Sequence, residues 1–569
     1  MDTYGERGSV RPVSGDGDGV FLDPIEPTQR SLRPALMGGL VLAVLIVAAV
    51  ALTVVWRGRS GDPFASARSV PASADYVMTF DALALSDSER LQAFVDAFAG
   101  PMLDAGLIDS YPDDLVAAID DAMGEESGFT LSGDIVPWMG RSVSVAGTVP
   151  ELSDPFGEGL DIDASFILSA DVRDRTAADA FVDKLIRKIG EENATVTATE
   201  IGGQAGYRIA DADEQLDVAL VLLDDALLFG IEDTVASAIE ARNAGLSIAD
   251  DAGFVDTMSM LPSERMMSFY LAPSAMEALL DLGTFASENL AMAGMSVETP
   301  ETADLPETTP MASSVSLVDE GLLFSYVVLG DTGMEGAMSP DTVVLASLPV
   351  NTLGFMSVAG SDAVGDWSFD DQALADLGYP LDDLSEELGI DIGALIESLS
   401  GDLTIAATET RASSIADATD VPVGVVGALG LTDADPMSDL IEVIEEMFAE
   451  QGIDVAATGG VTSVASGGQD FLSYSVQDDA FVIGSGQQLV EDVSTHRDGG
   501  LLGSELYQEL DRVVVGDGLI MFVDVAGVVS LVPTTSQEAA AIAPLRGVGF
   551  GGQIEDNATM MEVLFLIDY

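Results

Sequence analysis

The sequence predicts an α+β protein with mainly antiparallel sheets: one N-terminal transmembrane helix followed by two tandem, internally duplicated units. Three observations predict this architecture. Residues 35–56 form one uncharged apolar run, and the order of segments in residues 70–330 recurs in residues 341–569. Apolar strand-like segments also follow one another directly, which favours antiparallel sheets over alternating strands and helices.

The apolar run ALMGGLVLAVLIVAAVALTVVW extends from Ala35 to Trp56. As a helix it is about 33 Å long, enough to cross a hydrocarbon core of about 30 Å. The run is longer than the apolar part of a cleaved signal peptide, about 7–15 residues, so we expect an uncleaved anchor. Trp56 suits the interface between the membrane and water.

The orientation of this helix is predicted from the domain that follows it. Arginines lie on both sides, at Arg30 and Arg33 before the run and at Arg57, Arg59 and Arg68 after it. Flanking charge therefore gives no preference, but long domains cross membranes largely regardless of it. We expect a cytoplasmic N-terminus and an extracytoplasmic C-terminal domain at the plasma membrane.

Composition and the repeat divide the chain into six segments. The first is rich in Gly, Pro and Asp without periodicity, which is typical of disorder. The expected segments are a disordered cytoplasmic tail at 1–34, the transmembrane helix at 35–56, a stalk at 57–69, the first unit at 70–330, a linker at 331–340 and the second unit at 341–569.

The repeat is clearest at two hairpins. LVLLDDALLFGIEDTVASAIEAR, from Leu220, corresponds to YSVQDDAFVIGSGQQLVEDVSTHR, from Tyr474. In each segment an Asp-Asp pair separates two apolar strands, and a helix follows. Asp tolerates turn conformations and bonds its own backbone, so the pair predicts a hairpin turn.

Other segments match in the same order along the chain. VPASADYVMTFDA, from Val70, corresponds to LPVNTLGFMSVAG, from Leu348, and Trp138-Met139-Gly140 corresponds to Leu399-Ser400-Gly401. Two amphipathic helices also correspond. Their apolar stripes are Val182, Leu185, Ile186 and Ile189 in the first unit and Leu440, Ile444, Met447 and Phe448 in the second.

The opening of the first unit, together with the strand-Asp-Asp-strand-helix blocks, resembles a known family. Its pattern after the membrane anchor is Val70, Pro71, Ala72, Ala74 and Tyr76. This resembles the bacterial domain-of-unknown-function family 3352, over residues 70–569. The resemblance implies an N-terminal anchor and a long extracytoplasmic α+β region. That family has no established activity to carry over.

The charge of the chain restricts its partners. There are 97 acidic and 21 basic residues, a formal net charge of −76, and Lys184 and Lys188 are the only lysines. Nucleic-acid binding needs clustered basic residues, so it is not expected. The surface should instead gather diffuse cations, either as an adaptation to salt or as a functional polyanion. The charge does not exclude an envelope protein, a glycan or a lipid as a partner.

Missing residue types exclude several kinds of chemistry. The chain has no cysteine, and His496 is its only histidine. Disulfides, thiolate nucleophiles, Cys-type metal sites, two-histidine metal sites and a Ser-His-Asp triad are therefore not expected. His496 is expected at the end of a helix, where it would interact with the helix C-terminus. We assign no catalytic, cofactor-binding or metal-ligating residue, and no cofactor.

Three weaker patterns have both a structural and a functional interpretation. Gly484-Ser485-Gly486 precedes a helix and could bind an anion, although an ordinary strand-to-helix turn is favoured. Pairs of aspartates could bind calcium, although solvated loops are favoured. These pairs are Asp161 and Asp163, Asp211 and Asp213, and Asp433 and Asp435. Methionines cluster from Met258 to Met338 and either fill a core or line an apolar groove.

Three functions are compatible with these observations. The leading hypothesis is a noncatalytic, membrane-anchored envelope protein whose acidic extracytoplasmic domain presents a binding or scaffolding surface. The alternative is a carrier with an internal cavity for a lipid or another apolar ligand, suggested by the methionines. A second alternative is a hydrolase with two carboxylates about 5–10 Å apart.

Overall fold

The computed structural model describes most of the chain from Asp62 onwards. The described residues are 62–81, 88–107, 115–149, 165–191, 194–210, 218–275, 309–330, 342–358, 385, 389–466, 469–495, 500–531, 535–555 and 557–569. The predicted tail (1–34), transmembrane helix (35–56) and linker (331–340) lie outside them. Within the described residues, no helix is long and apolar enough to span a membrane.

The strands divide into two sets of ten. Those of the N-terminal half (residues 62–330) are β1 Tyr76–Asp81, β2 Met139–Gly147, β3 Phe166–Val172, β4 Thr195–Ile201, β5 Gln204–Ala210, β6 Val218–Leu222, β7 Ala226–Ile231, β8 Met267–Leu271, β9 Met311–Val318 and β10 Gly321–Leu329. Those of the C-terminal half (residues 342–569) are β11 Thr352–Val358, β12 Leu399–Glu409, β13 Val423–Leu431, β14 Asp454–Thr458, β15 Val461–Ser466, β16 Gln469–Val476, β17 Ala480–Gly484, β18 Met521–Asp524, β19 Leu545–Glu555 and β20 Ala558–Ile567.

Helices lie between these strands. The α-helices are α1 Ser88–Asp104, α2 Leu115–Glu126, α3 Arg175–Glu191, α4 Glu232–Ala244, α5 Ala252–Met260, α6 Thr342–Ser347, α7 Ile392–Glu397, α8 Ser414–Thr419, α9 Asp435–Glu450, α10 Gln487–Thr495, α11 Glu505–Asp511, α12 Val525–Leu531 and α13 Ser536–Ile542. Short 3-10 helices cover Ser66–Ser69, Ile248–Asp250 and Leu501–Gly503, and a π-helix covers Leu131–Ile135.

All twenty strands form one continuous sheet, and every pair of neighbours is antiparallel. The α+β class and the antiparallel sheet predicted from the sequence are thereby confirmed. The strand order is β4-β5-β6-β7-β3-β2-β1-β8-β9-β10-β20-β19-β18-β11-β12-β13-β17-β16-β15-β14. Counted from each edge of the sheet to its middle, the strands of the two halves follow the same order, with β4 corresponding to β14 and β10 to β20. The halves meet where β10 pairs with β20.

A row of hydroxyl side chains fixes which positions of the two halves correspond. In the N-terminal half the buried neighbours Thr79 and Ser144 contact each other at 3.0 Å. In the C-terminal half Ser357 and Thr404 do so on the matching strands, at 2.8 Å. A residue of one half therefore corresponds to a residue of the other when both lie the same number of strands and residues away from this row.

We call the face of the sheet on which this row lies the inner face. Helices cover it in both halves. In the N-terminal half α4, α5 and the first 3-10 helix pack on β-strand side chains such as Val77 and Tyr270. In the C-terminal half α6, α10 and α11 pack on Phe355, Val426 and Leu564. Each fully buried large apolar side chain contributes about 1.5–3 kcal/mol to stability.

The first described residues belong to this inner layer. Ser66 and Ala67 are fully buried, and the Ser66 hydroxyl contacts the Ser144 hydroxyl at 2.7 Å. Residues 62–69 were assigned to the stalk of residues 57–69, but they pack against the sheet. The folded part of the chain therefore includes residues 62–69.

The outer face is the opposite face of the sheet. In the N-terminal half it is covered by α2, the π-helix and α3, which enclose Trp138 and Phe181 in a second core. Trp138 is fully buried, and its ring lies 5.2 Å from that of Phe181. The two halves differ most on this face.

Candidate functional site

An apolar groove lies on the outer face of the C-terminal half. Its floor is formed by β18, β11, β12 and β13, whose alternate residues point to this side. In-register neighbours across the floor are Met521, Met356 and Ile405. The side chains of Met356 and Ile405 are 48% and 45% exposed, which is high for large apolar residues in the middle of a wide sheet.

Helix α12 forms one wall of the groove, through Val528 and Leu531. The groove has a volume of about 480 Å³, within the range of about 300–1,000 Å³ that is common for ligand sites. All of its lining residues are apolar. They are Leu353, Gly354, Phe355, Met356, Ile405, Ala406, Ala407, Val421, Val423, Val425, Met521, Phe522, Val523, Val528 and Leu531.

Three of the five corresponding positions along one row of the N-terminal half carry larger side chains. Met521, Met356, Ile405, Gly427 and Ile483 form one cross-strand row. The matching row of the N-terminal half consists of Phe269, Met78, Val145, Leu168 and Phe229. The C-terminal half therefore loses two aromatic rings and one leucine side chain along this row.

The next row shows the same loss of volume. Gly354 pairs with Ala407, which pairs with Val425. The N-terminal half has Tyr76 and Phe166 where the C-terminal half has Gly354 and Val425. Among the described residues, the rows of the two halves therefore differ in side-chain volume and not in strand pairing.

A third difference in side-chain size between the halves lies outside the floor of the groove. The Trp138 carbonyl accepts a hydrogen bond from the Arg173 amide at 2.8 Å, and the Ser398 carbonyl accepts one from the Thr432 amide at 2.7 Å. Trp138 therefore corresponds to Ser398. The sequence comparison paired it with Leu399, one residue too far. The largest side chain of the N-terminal outer layer is thus a serine in the C-terminal half.

The helices that follow β3 and β13 also differ: the helix of the N-terminal half buries more of its apolar side chains. Helix α3 buries Ala178, Phe181, Val182, Leu185 and Ile189. Helix α9 has an apolar stripe at the same spacing, but Met437 is its only buried residue among those described. The stripe predicted at Leu440, Ile444, Met447 and Phe448 is half-buried at three positions and exposed at Met447.

Charged residues lie at one end of the groove, next to its lining residues. Glu409 pairs in register with Val423, and Asp420 precedes Val421. Arg411 contributes a cation here. Its side chain is 75% exposed and lies 3.9 Å from Asp420, which is fully exposed. This rim therefore combines two carboxylates with one guanidinium.

One ionisable contact holds helix α9 to the same face of the sheet. The Tyr474 hydroxyl donates to Glu445 Oε1 at 2.5 Å, and the ring is buried. Burial, and then the hydrogen bond and charge of Glu445, raise the pKa of Tyr474. Tyr474 therefore stays protonated and acts as a hydrogen-bond donor.

The aspartates and glycines considered as binding residues have structural roles where they are described. Asp433 accepts from the Asp435 amide at 3.0 Å at the start of α9. A Cβ atom at Gly486 would lie 2.2 Å from the Ala412 carbonyl oxygen, so the turn before α10 is packed against backbone. Within the described residues, no cluster of three or more acidic, His or Cys side chains could hold a metal ion.

Several candidates lie outside the described residues: His496, Asp161, Asp163, Asp211 and Asp213. Of the clustered methionines, Met258 is 1% exposed and belongs to the inner core. The groove is instead lined by Met356 and Met521, which the methionine cluster did not include. Glycines within apolar strands, at Gly354 and Gly427, were the available signal for a site of this kind.

These features define an α+β protein with one open antiparallel sheet and an apolar groove on the outer face of its C-terminal half. The chain belongs to the family described as Protein of unknown function (DUF3352), which it matches over residues 35–559. No curated protein matches it.

A solved structure with some similarity is titled "Structure of crystal form I of TP0453". It is 10% identical, covers 48% of this chain and 80% of its own, and has a TM-score of 0.22. At that TM-score the likeness carries no argument.

Proposed function

We propose that this is a noncatalytic, membrane-anchored envelope protein that binds an apolar ligand in the groove of its C-terminal half. The observation that carries the proposal is the asymmetry between the halves. A strand with one face in contact with water alternates apolar and polar residues, so that the exposed face of the sheet is polar. The floor of this groove instead keeps large apolar side chains, such as Met356 and Ile405, at exposed positions.

The anchor and the tandem repeat are part of this proposal. Residues 35–56 would form the transmembrane helix, with the acidic domain outside the cytoplasm. The two halves would be two copies of one unit, joined edge to edge through β10 and β20. The shared strand succession and the corresponding hydroxyl rows support this interpretation. The packed copy would stabilise the fold, and the open copy would bind.

A carboxylate-dependent hydrolase is less well supported. General acid and base catalysis needs carboxylates that face the bound substrate. The lining residues of the groove include no acidic, basic or hydroxyl side chain. An apolar binding site needs none of these groups, so binding is the better match to the lining.

Photolabelling tests the proposed function. Full-length protein in nanodiscs is irradiated with a neutral alkyl probe that carries a diazirine, and labelled peptides are identified by mass spectrometry. We expect labelling of β11, β12, β13 and β18, and loss of it in Ala407→Trp, which fills the groove. Ala456→Trp, at an exposed position of β14, is the matched control. Equal labelling of these strands in both variants would refute the proposal.

A further inference from the structure

The rim of the groove has the charge pattern of a zwitterion acceptor. The Glu409 and Asp420 carboxylates can face an ammonium group. The Arg411 guanidinium can face a phosphate, to which arginine donates in a planar, bidentate manner. With a net charge of −76 on the whole chain, a headgroup that carries only negative charge would be repelled.

With residues 35–56 as the anchor, the short tether of residues 57–61 keeps the folded part of the chain near a bilayer. Only residues 57–61 separate the predicted membrane helix from Asp62, the first described residue of the folded part. Six peptide steps from Trp56 to Asp62 reach at most about 20 Å when fully extended. The domain therefore stays close to the surface of the bilayer that holds the anchor.

We infer that the groove accepts an acyl chain of a diacyl lipid with a zwitterionic headgroup, drawn from that bilayer. The inference rests on the proposed function and names its ligand class. The acyl chain replaces the side-chain volume that Tyr76, Phe166 and Phe269 supply in the N-terminal half. Burying the exposed surfaces of Met356 and Ile405 supplies the driving force, at about 25 cal/mol per Å² of apolar surface.

Lipids with a diazirine in one acyl chain test the inference. Full-length protein is placed in nanodiscs that contain either a phosphatidylcholine or a phosphatidylglycerol probe with the same acyl chains. We expect the phosphatidylcholine probe to label β11, β12, β13 and β18, and the phosphatidylglycerol probe to label them roughly tenfold less. Equal labelling by both probes would overturn the headgroup assignment.

Variants separate the groove from the membrane background. Ala407→Trp should lower phosphatidylcholine labelling of these strands roughly tenfold, whereas Ala456→Trp should leave it unchanged. Gly427→Leu is a second variant, in case Ala407→Trp fails to fold. A Cβ atom at Gly427 lies at an ordinary contact distance of 3.5 Å from Ile483 Cγ2, so a side chain fits. Undiminished labelling in both folded variants would overturn the inference.

The rim is tested by charge neutralisation. The double variant Glu409→Gln with Asp420→Asn should raise labelling by phosphatidylglycerol several-fold and lower labelling by phosphatidylcholine. Arg411→Gln should lower labelling by both phosphate-bearing probes. No change in either variant would contradict recognition by the rim.

Two outcomes distinguish failure of this inference from failure of the proposed function. Labelling of the groove by the neutral alkyl probe but by neither lipid would overturn the lipid assignment and leave the binding function intact. Cross-linking from p-benzoylphenylalanine at position 356 to residues 359–384 of the same chain would show that the chain itself fills the groove, and would overturn both.

Discussion

The two halves of the sheet have the same strand succession but different outer layers. In the N-terminal half, Leu168 and Phe229 are 0% and 2% exposed beneath α3 and the π-helix. Their counterparts in the C-terminal half are Gly427 and Ile483, beside a groove of about 480 Å³. Within the described residues, smaller side chains on the same strand succession therefore accompany the open face of the C-terminal half.

The inner layers are a control for this comparison. Both halves bury the inner face under helices, with hydroxyl rows at matching positions. The difference is therefore confined to one face and does not reflect a general loss of packing in the second half. Substitutions in the two halves should therefore differ in their effect on stability.

The largest effect is expected from Trp138→Ala. Removing a fully buried indole leaves a cavity in the outer layer and should lower the free energy of unfolding by about 3–5 kcal/mol. Ser398→Ala, at the corresponding position, should cost about 1 kcal/mol or less. Urea unfolding of both variants measures the difference. Similar losses in the two variants would contradict the unequal packing of the halves.

Two ion pairs should differ because their burial differs. Arg141 and Asp81 are 2.6 Å apart, with side chains 17% and 4% exposed. Arg141→Met removes the guanidinium that neutralises this carboxylate and should cost about 3–5 kcal/mol. Arg546 and Glu509, in the C-terminal half, are 34% and 26% exposed, and Arg546→Met should cost about 1 kcal/mol or less. Thermal unfolding at several salt concentrations checks both, and equal losses would be the contrary result.

A smaller effect is expected from Tyr474→Phe, where the N-terminal half has Leu220. The variant removes the hydrogen bond to Glu445 and should cost about 0.5–1.5 kcal/mol. A double-mutant cycle with Glu445→Gln measures the coupling between α9 and the sheet. Additive single effects would show that this bond does not hold α9 in place.

The smallest effect is expected where the halves meet. Ser325 and Glu562 face each other across β10 and β20, and the Ser325 hydroxyl donates to Glu562 Oε1 at 2.8 Å. Burial raises the pKa of Glu562, although bonds from Ser325 and from the Val515 amide lower it in part. The folded state therefore binds this proton more tightly than the unfolded state does.

It follows that the contribution of Glu562 to stability falls as pH rises above the ordinary glutamate pKa of about 4.3. Glu562→Gln should reduce this loss, so its melting temperature relative to the wild-type chain should rise between about pH 4 and pH 7. A constant difference across that range would contradict the shift. Ser325→Ala is the matched control, because it removes the hydroxyl and keeps the titrating group.

Much of the fold could be predicted from local patterns. Alternating apolar residues and the Asp-Asp turns gave the hairpins β6–β7 and β16–β17, which the structure contains. The groove could not be predicted, because Gly354 and Met356 meet Val523 and Met521 only through the pairing of β11 with β18, two strands that are distant in the sequence. The one-residue error at Trp138 has the same origin, since register depends on cross-strand pairing.

The sequence by itself determined the order of helices and strands, the antiparallel class and the acidic surface, since these follow from periodicity, turn residues and composition. Tertiary structure decided that the halves share one sheet through β10 and β20, which rows correspond, and where apolar volume is missing. These properties depend on long-range pairing and on the summed volume of side chains from several strands, which no local segment of the chain contains.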